Sequence, residues 1–113
     1  MESTRQQKIA RQIQRDIADI FGKEASHVVK GVMTTVTTVR VSPDFSYAKI
    51  FVSIFPFECA GAVLEGIKAN NWLIRKALGQ KIRNQLRIVP ELEFFIDDSL
   101  EYIENIDNLL KQN

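Results

Sequence analysis

The feature that most constrains the fold is a proline-free run of 30 residues, 58–87, whose composition favours helix. As one straight helix this run would be about 45 Å long, whereas a compact chain of 113 residues has a radius of gyration of only about 13 Å. We therefore predict a break. Asn70 and Asn71 are the best candidates for it, because asparagine has poor helix propensity and tolerates turns. The run thus predicts two helices joined by a kink.

An amphipathic helix is predicted ahead of this run, near the N-terminus. Ser3 or Thr4 can cap it, with Gln6 or Gln7 three residues further on in a capping-box position. Gly22 is typical of a helix C-terminus. Between these ends, apolar residues recur at spacings of four and three and define one buried face: Ile9, Ile13, Ile17, Ile20 and Phe21.

Three strands are predicted from β-branched and alternating apolar residues. Residues 32–41 and 47–55 are rich in such residues, and the Ser-Pro-Asp-Phe-Ser segment 42–46 between them has turn chemistry. These two runs therefore predict an antiparallel hairpin. Pro90 is expected to end the second arm of the helical run, and residues 92–96 then predict a short third strand.

The element order is α-β-β-α-(kink)-α-β, followed by a C-terminal helix. It predicts a single α+β domain over residues 1–113, with helices packed on one face of a three-stranded sheet. Residues 1–98 form the core of this domain. The terminal helix, residues 99–113, is acidic, and Asp98 is placed to cap it.

This order is also that of the prokaryotic, type II KH domain, which binds single-stranded RNA. A KH domain carries a Gly-x-x-Gly loop that clamps the nucleic-acid backbone. The matching position here has no such motif and reads Ala69, Asn70, Asn71 and Trp72. We predict that Asn70, Asn71 and Trp72 form the interhelical kink. Trp72 is interpreted as packing at the break, with base stacking as the less favoured alternative.

Charge is distributed unevenly along the chain. Residues 1–90 hold 14 Lys/Arg and 7 Asp/Glu, a net charge of +7, whereas residues 91–113 hold one Lys and 7 Asp/Glu, a net charge of −6. The two parts account for the formal net charge of +1. Such a division favours a cationic working face with a separate acidic segment, and chance clustering of solvated charges is the alternative.

The second arm of the helical run holds the candidate phosphate-binding residues. Residues 74–87 contain five basic side chains and no acidic one, and cations that displace condensed counterions give salt-sensitive affinity for nucleic acid. On a continuous helix, three of these cations would lie with Gln80 on one narrow line, with one beside it and one further round. The predicted set is Lys76, Arg83 and Arg87 on the line, with Arg75 beside it and Lys81 further round. A second patch on the first helix joins them if the two helices lie side by side: Arg5, Lys8, Arg11 and Arg15. A solvated helix face is the alternative for both sets.

Catalysis and metal binding have little support in the residues. The single histidine, His27, and the single cysteine, Cys59, lie in different regions and do not suggest a Cys/His pair. No glycine-rich nucleotide-binding pattern occurs. We expect no enzyme activity, no cofactor and no metal. A lone cysteine, no apolar leader and no apolar run of about 20 residues predict a cytoplasmic chain without a membrane span, and we expect a monomer.

Four stretches resemble the ribosome-binding factor A family of bacteria. They are Arg-Gln-Gln-Lys-Ile at 5–9, Val-Ser-Pro-Asp-Phe-Ser-Tyr-Ala-Lys-Ile-Phe-Val at 41–52, Leu-Ile-Arg-Lys-Ala-Leu-Gly at 73–79, and Leu-Arg-Ile-Val-Pro-Glu-Leu-Glu-Phe-Phe-Ile-Asp-Asp-Ser at 86–99. They occur in the family's order and span nearly the whole chain. In that family an Ala-x-Gly kink replaces the Gly-x-x-Gly loop, and this sequence has Asn70, Asn71 and Trp72 there instead.

The resemblance implies a KH-type domain that binds the immature 30S subunit through its rRNA. It implies a non-enzymatic assembly factor for late maturation and processing of 16S rRNA, needed especially in the cold. A different class of function stays open beside it. The strand face and the acidic last helix could form a protein–protein module that docks a ribosomal protein or a second copy of the chain.

Overall fold

A computed structural model describes residues 2–99 of the chain, and the predicted acidic helix 99–113 falls outside this range apart from Ser99. The observed order of elements agrees with the prediction up to that point. A short 3-10 turn, Phe57–Cys59, precedes the second helix. The elements are α1 (Thr4–Gly22), β1 (Met33–Val41), β2 (Tyr47–Phe55), α2 (Ala60–Ala69), α3 (Asn71–Ile82) and β3 (Glu91–Ile96).

The three strands form one sheet in the order β1-β2-β3. β1 and β2 are antiparallel, with Met33 opposite Phe55, which confirms the predicted hairpin; a bulge interrupts their register next to Thr37. β3 runs parallel to β2, with Tyr47 opposite Glu91. A parallel pair requires a crossover connection, and α2 and α3 supply it.

Helix α1 begins with the predicted capping box, and Ser3 is the N-cap. The Ser3 hydroxyl accepts a hydrogen bond from the backbone N–H of Gln6 at 3.1 Å, and the Gln6 side chain accepts one from the N–H of Ser3 at 2.8 Å. The amide nitrogen of Gln6 also donates to the carbonyl of Val41 at 3.0 Å. One buried glutamine therefore caps the helix and fixes its start against the end of β1.

The predicted break is confirmed at Asn70, which separates α2 from α3. Its backbone N–H and its side-chain amide both donate to the carbonyl of Gly66, at 3.1 and 2.8 Å. Asn71 reaches across to the sheet and donates its side-chain amide to the carbonyl of Leu92 at 2.9 Å. The Asn70 side chain thus adds a second hydrogen bond to a carbonyl in the last turn of α2, and Asn71 supplies a donor to a carbonyl of β3.

Helix α3 ends at Ile82, so the prediction of a helix that continues to Arg87 and is ended by Pro90 is wrong. Asn71 holds the start of β3 beside the start of α3, and the chain must therefore return along the helix. That return is about 18 Å for the 12 residues of α3, and residues 83–90 cover it at about 3.3 Å each. A helix reaching Arg87 would leave three residues for a return of about 25 Å.

The core lies between the helices and one face of the sheet, which confirms the predicted α+β layering. Alternate residues of β2 are buried there, and they meet the apolar stripes of α1 and α3. The aromatic rings of Phe21 and Phe94 lie 6.3 Å apart between α1 and β3. The fully buried side chains that define this layer include Ile13, Ile17 and Ile20 from α1, Ile50 and Val52 from β2, and Ile74, Leu78 and Ile82 from α3.

Candidate nucleic-acid interface

Trp72 lies in the first turn of α3 with 66% of its surface exposed, so the interpretation that it packs at the break is wrong. Ile74, two residues further on, is fully buried. Two residues correspond to about 200° around a helix, and Trp72 therefore points away from the core.

Lys76 lies one helical turn after Trp72 on the same exposed face of α3. Both side chains line a shallow cleft of about 420 Å³, together with Arg75, Gly79 and Val89. No ion pair within residues 2–99 involves Lys76. An aromatic ring and a cation on one face can stack a base and neutralise the neighbouring phosphate. We call Trp72 and Lys76 the kink surface.

The N-terminus of α3 adds a second source of positive potential to the kink surface. No side chain caps this terminus; the carbonyl of Asn70 accepts from the N–H groups of Leu73 and Ile74, each at 3.1 Å. The aligned peptide dipoles place partial positive charge at a helix start, which favours anions there. Trp72 therefore lies at this helix start, and Lys76 lies one turn further along the same face.

Arg75 borders the kink surface but also has a structural role. Its Nε atom donates to the carbonyl of Pro90 at 3.1 Å, and its Nη2 atom donates to the carbonyl of Val89 at 2.8 Å. These bonds hold the returning chain against α3. A guanidinium has five N–H donors, so donors remain for a phosphate in the cleft. Arg75 thus stays a candidate phosphate contact, although two of its nitrogen atoms already donate to backbone carbonyls.

Lys81 is the weakest of the predicted contacts, because its charge is already paired. Its Nζ atom donates to Oδ2 of Asp19 at 2.6 Å, and Asp19 also pairs with Lys23 at 3.3 Å. The hydrogen bond from Lys81 is the main cause that lowers the pKa of Asp19, and the same bond raises the pKa of Lys81. This pair connects α1 to α3, and we assign Lys81 a structural role.

Arg83 and Arg87 lie beyond the end of α3 and are exposed on the returning segment. They therefore do not extend the line of Lys76 along a helix. Arg87 instead lines a separate cleft of about 460 Å³, whose other wall includes Arg5 and Phe45. α1 does pack against α3, and Arg5 is the member of the α1 patch that the fold brings to the same cleft as Arg87.

The other three cations of the α1 patch form a surface of their own. Lys8, Arg11 and Arg15 are exposed and fall within about 60° of one another around the helix. Arg15 donates to the side-chain oxygen of Gln12 at 2.9 Å. Arg11 lines a groove between α1 and β1. The two predicted basic sets are thus divided differently: Lys76 and Arg75 lie at the kink, Arg5 and Arg87 share a cleft, and the rest of the α1 patch lies apart from both.

Other kinds of site find no support within residues 2–99. No three His, Cys, Asp or Glu side chains in this range are grouped to hold a metal ion. His27 is exposed and Cys59 is half-buried, and they belong to different elements. In the same range, no helix combines the length and the apolar character that crossing a membrane requires.

Two features of the interface were not predicted from the sequence. The exposure of Trp72 had a local signal, because a residue two positions from the buried Ile74 stripe and four from Lys76 belongs to the polar face. The approach of Arg5 to Arg87 had none, because it depends on the path of residues 83–90 and on the turn at 42–46. The first feature follows from helical periodicity and the second from tertiary structure.

Comparison with known proteins gives one family name over nearly the whole chain. The family description "Ribosome-binding factor A" matches residues 5–110. The ribosome-binding factor A of Flavobacterium johnsoniae is 50% identical over 111 residues, which cover 97% of this chain and 85% of that protein. The protein of the same name from Cytophaga hutchinsonii is 45% identical over 112 residues, covering 99% of this chain and 84% of that one.

Solved structures share the fold. The crystal structure of ribosome-binding factor A from Thermus thermophilus aligns with a TM-score of 0.67 at 23% identity, over 80% of this chain and 94% of that chain. A Thermus thermophilus homology model fitted into the cryo-EM map of a 30S–RbfA complex aligns with a TM-score of 0.62 at 26% identity, over 79% of this chain and 91% of that chain. A domain with this kinked helix pair, matched by relatives over nearly its whole length, belongs to the ribosome-binding factor A family.

Proposed function

We propose that this protein binds the immature small ribosomal subunit through its rRNA and assists late maturation and processing of 16S rRNA, with a role in cold adaptation. It acts as a monomeric, non-enzymatic assembly factor in the cytoplasm. Membership of the ribosome-binding factor A family supports this proposal, as does the fit of the Thermus thermophilus protein into the map of a complex with the 30S subunit.

The kink surface is the observation on which the RNA contact rests. In a KH domain the break between these two helices approaches the nucleic-acid backbone, and here the break places Trp72 and Lys76 beside the uncapped start of α3. The helix terminus and Lys76 attract phosphate, and the exposed indole gives a base a flat apolar surface. The side chains present at the kink thus replace the missing glycine loop.

The test is co-sedimentation of the protein with immature small subunits, with Lys76→Glu and Trp72→Ala as the variants. Lys49→Glu is the matched control, because Lys49 is likewise exposed but lies on the sheet face opposite the helices. We expect Lys76→Glu to abolish co-sedimentation and Trp72→Ala to weaken it, while Lys49→Glu binds as the wild type does. Full binding by Lys76→Glu would contradict the kink surface as the contact.

The salt dependence of binding gives a second measurement on the same variants. Each phosphate contact contributes about 0.7 to 0.9 to the slope of log affinity against log salt concentration. Lys76→Ala should therefore reduce the slope by roughly one contact, whereas Trp72→Ala should lower affinity with little change in slope. Equal slopes for Lys76→Ala and the wild type would remove Lys76 from the set of phosphate contacts.

An alternative function as a protein-docking module rests on the open face of the sheet. Met33 and Phe55 lie opposite each other in the β1–β2 register and are 69% and 53% exposed. Phe51 stacks on Phe95 on the same face, with ring centroids 5.3 Å apart. This apolar surface could receive a ribosomal protein or a second copy. A dimer that survives high salt and has no affinity for RNA would favour this alternative, and so would loss of subunit binding in Lys49→Glu alone.

A further inference from the structure

The cleft between the turn 42–46 and the returning segment after α3 is separate from the kink surface. Its volume is about 460 Å³, within the range of about 300 to 1,000 Å³ that small-molecule sites occupy. It shares no lining residue with the cleft of Trp72 and Lys76. It is therefore a second candidate site, with a chemistry of its own.

One wall of the cleft is a turn that is rigidly held. Oδ1 of Asp44 accepts three hydrogen bonds, from the hydroxyl of Ser42 at 2.8 Å and from the hydroxyl and N–H of Ser46 at 2.8 and 3.1 Å. Phe45 donates its N–H to the carbonyl of Ser42 at 3.0 Å and has a φ of +61°. A left-handed backbone is uncommon for a bulky residue and occurs where the surroundings enforce it. The backbone of Phe45 is consequently held in place, and its partly buried side chain packs against the core.

Arg5 forms a second layer on this wall. Its guanidinium carbon lies 4.9 Å from the centroid of the Phe45 ring, within the distance of a cation–π contact. Arg5 is exposed and lines the cleft, so its guanidinium lies over the ring and is also accessible from the cleft. An arginine plane held in this way is a surface on which an unstacked base can lie.

The opposite wall supplies a second cation and an apolar rim. Arg87 and Gln85 are exposed there, and Ile88 has 74% of its surface exposed. Within residues 2–99 neither Arg5 nor Arg87 takes part in an ion pair. Two guanidiniums that line one cleft favour an anion there, and the apolar and amide side chains nearby suit a flat, partly polar ring.

We propose that this cleft holds one unstacked nucleotide of an RNA strand, with its base on the guanidinium of Arg5 and its phosphate on Arg87. This assignment rests on the proposed function, because it adds a base-binding position to an RNA-binding surface. Asp44 fixes the orientation: its carboxylate repels a phosphate from the turn wall and leaves the wall of Arg87 for that group. Binding in this cleft thus depends on the base of the nucleotide as well as on the charge of its phosphate.

The experiment measures fluorescence anisotropy of three labelled probes: a single-stranded RNA hexamer, the same hexamer with one central abasic ribose, and a free mononucleotide. The variants are Arg5→Lys, which keeps the charge but loses the planar group, and Arg87→Ala. Arg11→Ala is the control, because Arg11 lies on the same helix outside the cleft. Thermal unfolding of each variant establishes that its fold is intact.

We expect Arg5→Lys to weaken binding of the intact hexamer by about tenfold, which is within the range for one base stacked on an aromatic side chain, and to leave the abasic hexamer unaffected. Arg87→Ala should weaken both hexamers, and Arg11→Ala should leave the difference between them unchanged. Equal binding of the two hexamers by the wild type, or an unchanged affinity of Arg5→Lys, would overturn the proposal. A mononucleotide that binds as tightly as the hexamer would overturn it in favour of a small-molecule site.

The failure of this proposal is distinguishable from failure of the proposed function. If Lys76→Glu abolishes binding to small subunits while Arg5→Lys changes no hexamer affinity, only the cleft assignment is wrong. If the wild-type protein binds neither subunits nor hexamers, the RNA-binding function itself is wrong.

Discussion

The Nζ atom of Lys81 lies 2.6 Å from Oδ2 of Asp19, and this pair joins the last turn of α3 to the C-terminal part of α1. Asp19 is also paired with Lys23, four residues further along α1. Both lysines lower the pKa of Asp19 below its usual value of 3.8, with Lys81 the larger cause. The packing of α1 on α3 is therefore coupled to the ionisation of one carboxyl group.

Asp19→Asn should lower the melting temperature near neutral pH, because Lys81 then loses its ionised partner. A carboxyl whose pKa is lower in the folded state stabilises the fold above its unfolded value of 3.8, and this contribution is lost as the pH falls through the folded pKa. The difference from the wild type should therefore vanish in acid. Thermal unfolding followed by circular dichroism at a series of pH values measures it.

Glu65→Gln is the charge-matched control for this prediction, because Glu65 is exposed on α2 and takes part in no ion pair among the described residues. Its melting temperature should follow that of the wild type at every pH. A pH-independent difference for Asp19→Asn would show that the substitution acts through packing and not through the charge.

Gly79 allows the returning segment to approach α3 closely. A Cβ atom at this position would lie 2.9 Å from Cγ2 of Val89, whereas one at Gly66 would meet its nearest neighbour, Val28, at 3.6 Å. Alanine is favoured over glycine in a helix by about 1 kcal/mol, and overpacking costs about 1 to 3 kcal/mol. Gly66→Ala should therefore stabilise the protein, and Gly79→Ala should be neutral or destabilising.

Denaturant unfolding of both glycine variants measures this difference, since a shift of the midpoint at constant slope reports a change in stability. The pair is matched because both residues lie inside helices and have φ angles that alanine can adopt. Equal stabilisation by the two substitutions would mean that Val89 moves aside without cost and that Gly79 does not set the approach of the segment.

Ser3 carries the hydroxyl half of the capping box of α1. Its replacement by alanine removes the acceptor for the N–H of Gln6 and should destabilise the protein by about 1 kcal/mol, the usual value for an N-cap serine. Thr4→Ala is the control, because Thr4 is already inside the helix and exposed. Urea unfolding compares the stabilities of the two variants. An equal loss of stability in both would mean that the Ser3 hydroxyl has no special role as the cap.

Local patterns were sufficient to predict most of the elements. The alternation of Ala48, Ile50, Val52 and Ile54 places them on one face of a strand, and all four are buried in β2. The poor helix propensity of Asn70 predicted the break. These features depend on neighbouring residues, which repeat with the period of the strand or interrupt that of the helix.

The end of α3 and the arrangement of the cations could not be predicted in the same way. Asn84 is a poor helix former, as Asn70 is, but the helix ends where it does because the chain must return to β3 beside Asn71. That return takes Arg87 away from Lys76 and towards Arg5. Lys81 likewise finds Asp19, a residue 62 positions away in sequence. Each of these outcomes depends on the packing of distant segments.

Trp72 is the single tryptophan of the chain, and its exposure makes it a direct reporter of the kink surface. In the free protein its fluorescence should be readily quenched by acrylamide, because 66% of its surface is accessible. Binding of small subunits should protect it if a base stacks on the indole. Trp72→Phe should retain part of the affinity and Trp72→Ala should lose about 1 to 3 kcal/mol, the range for one base stacked on an aromatic ring. Unchanged quenching in a saturated complex would place Trp72 outside the contact, whatever the affinity of the alanine variant.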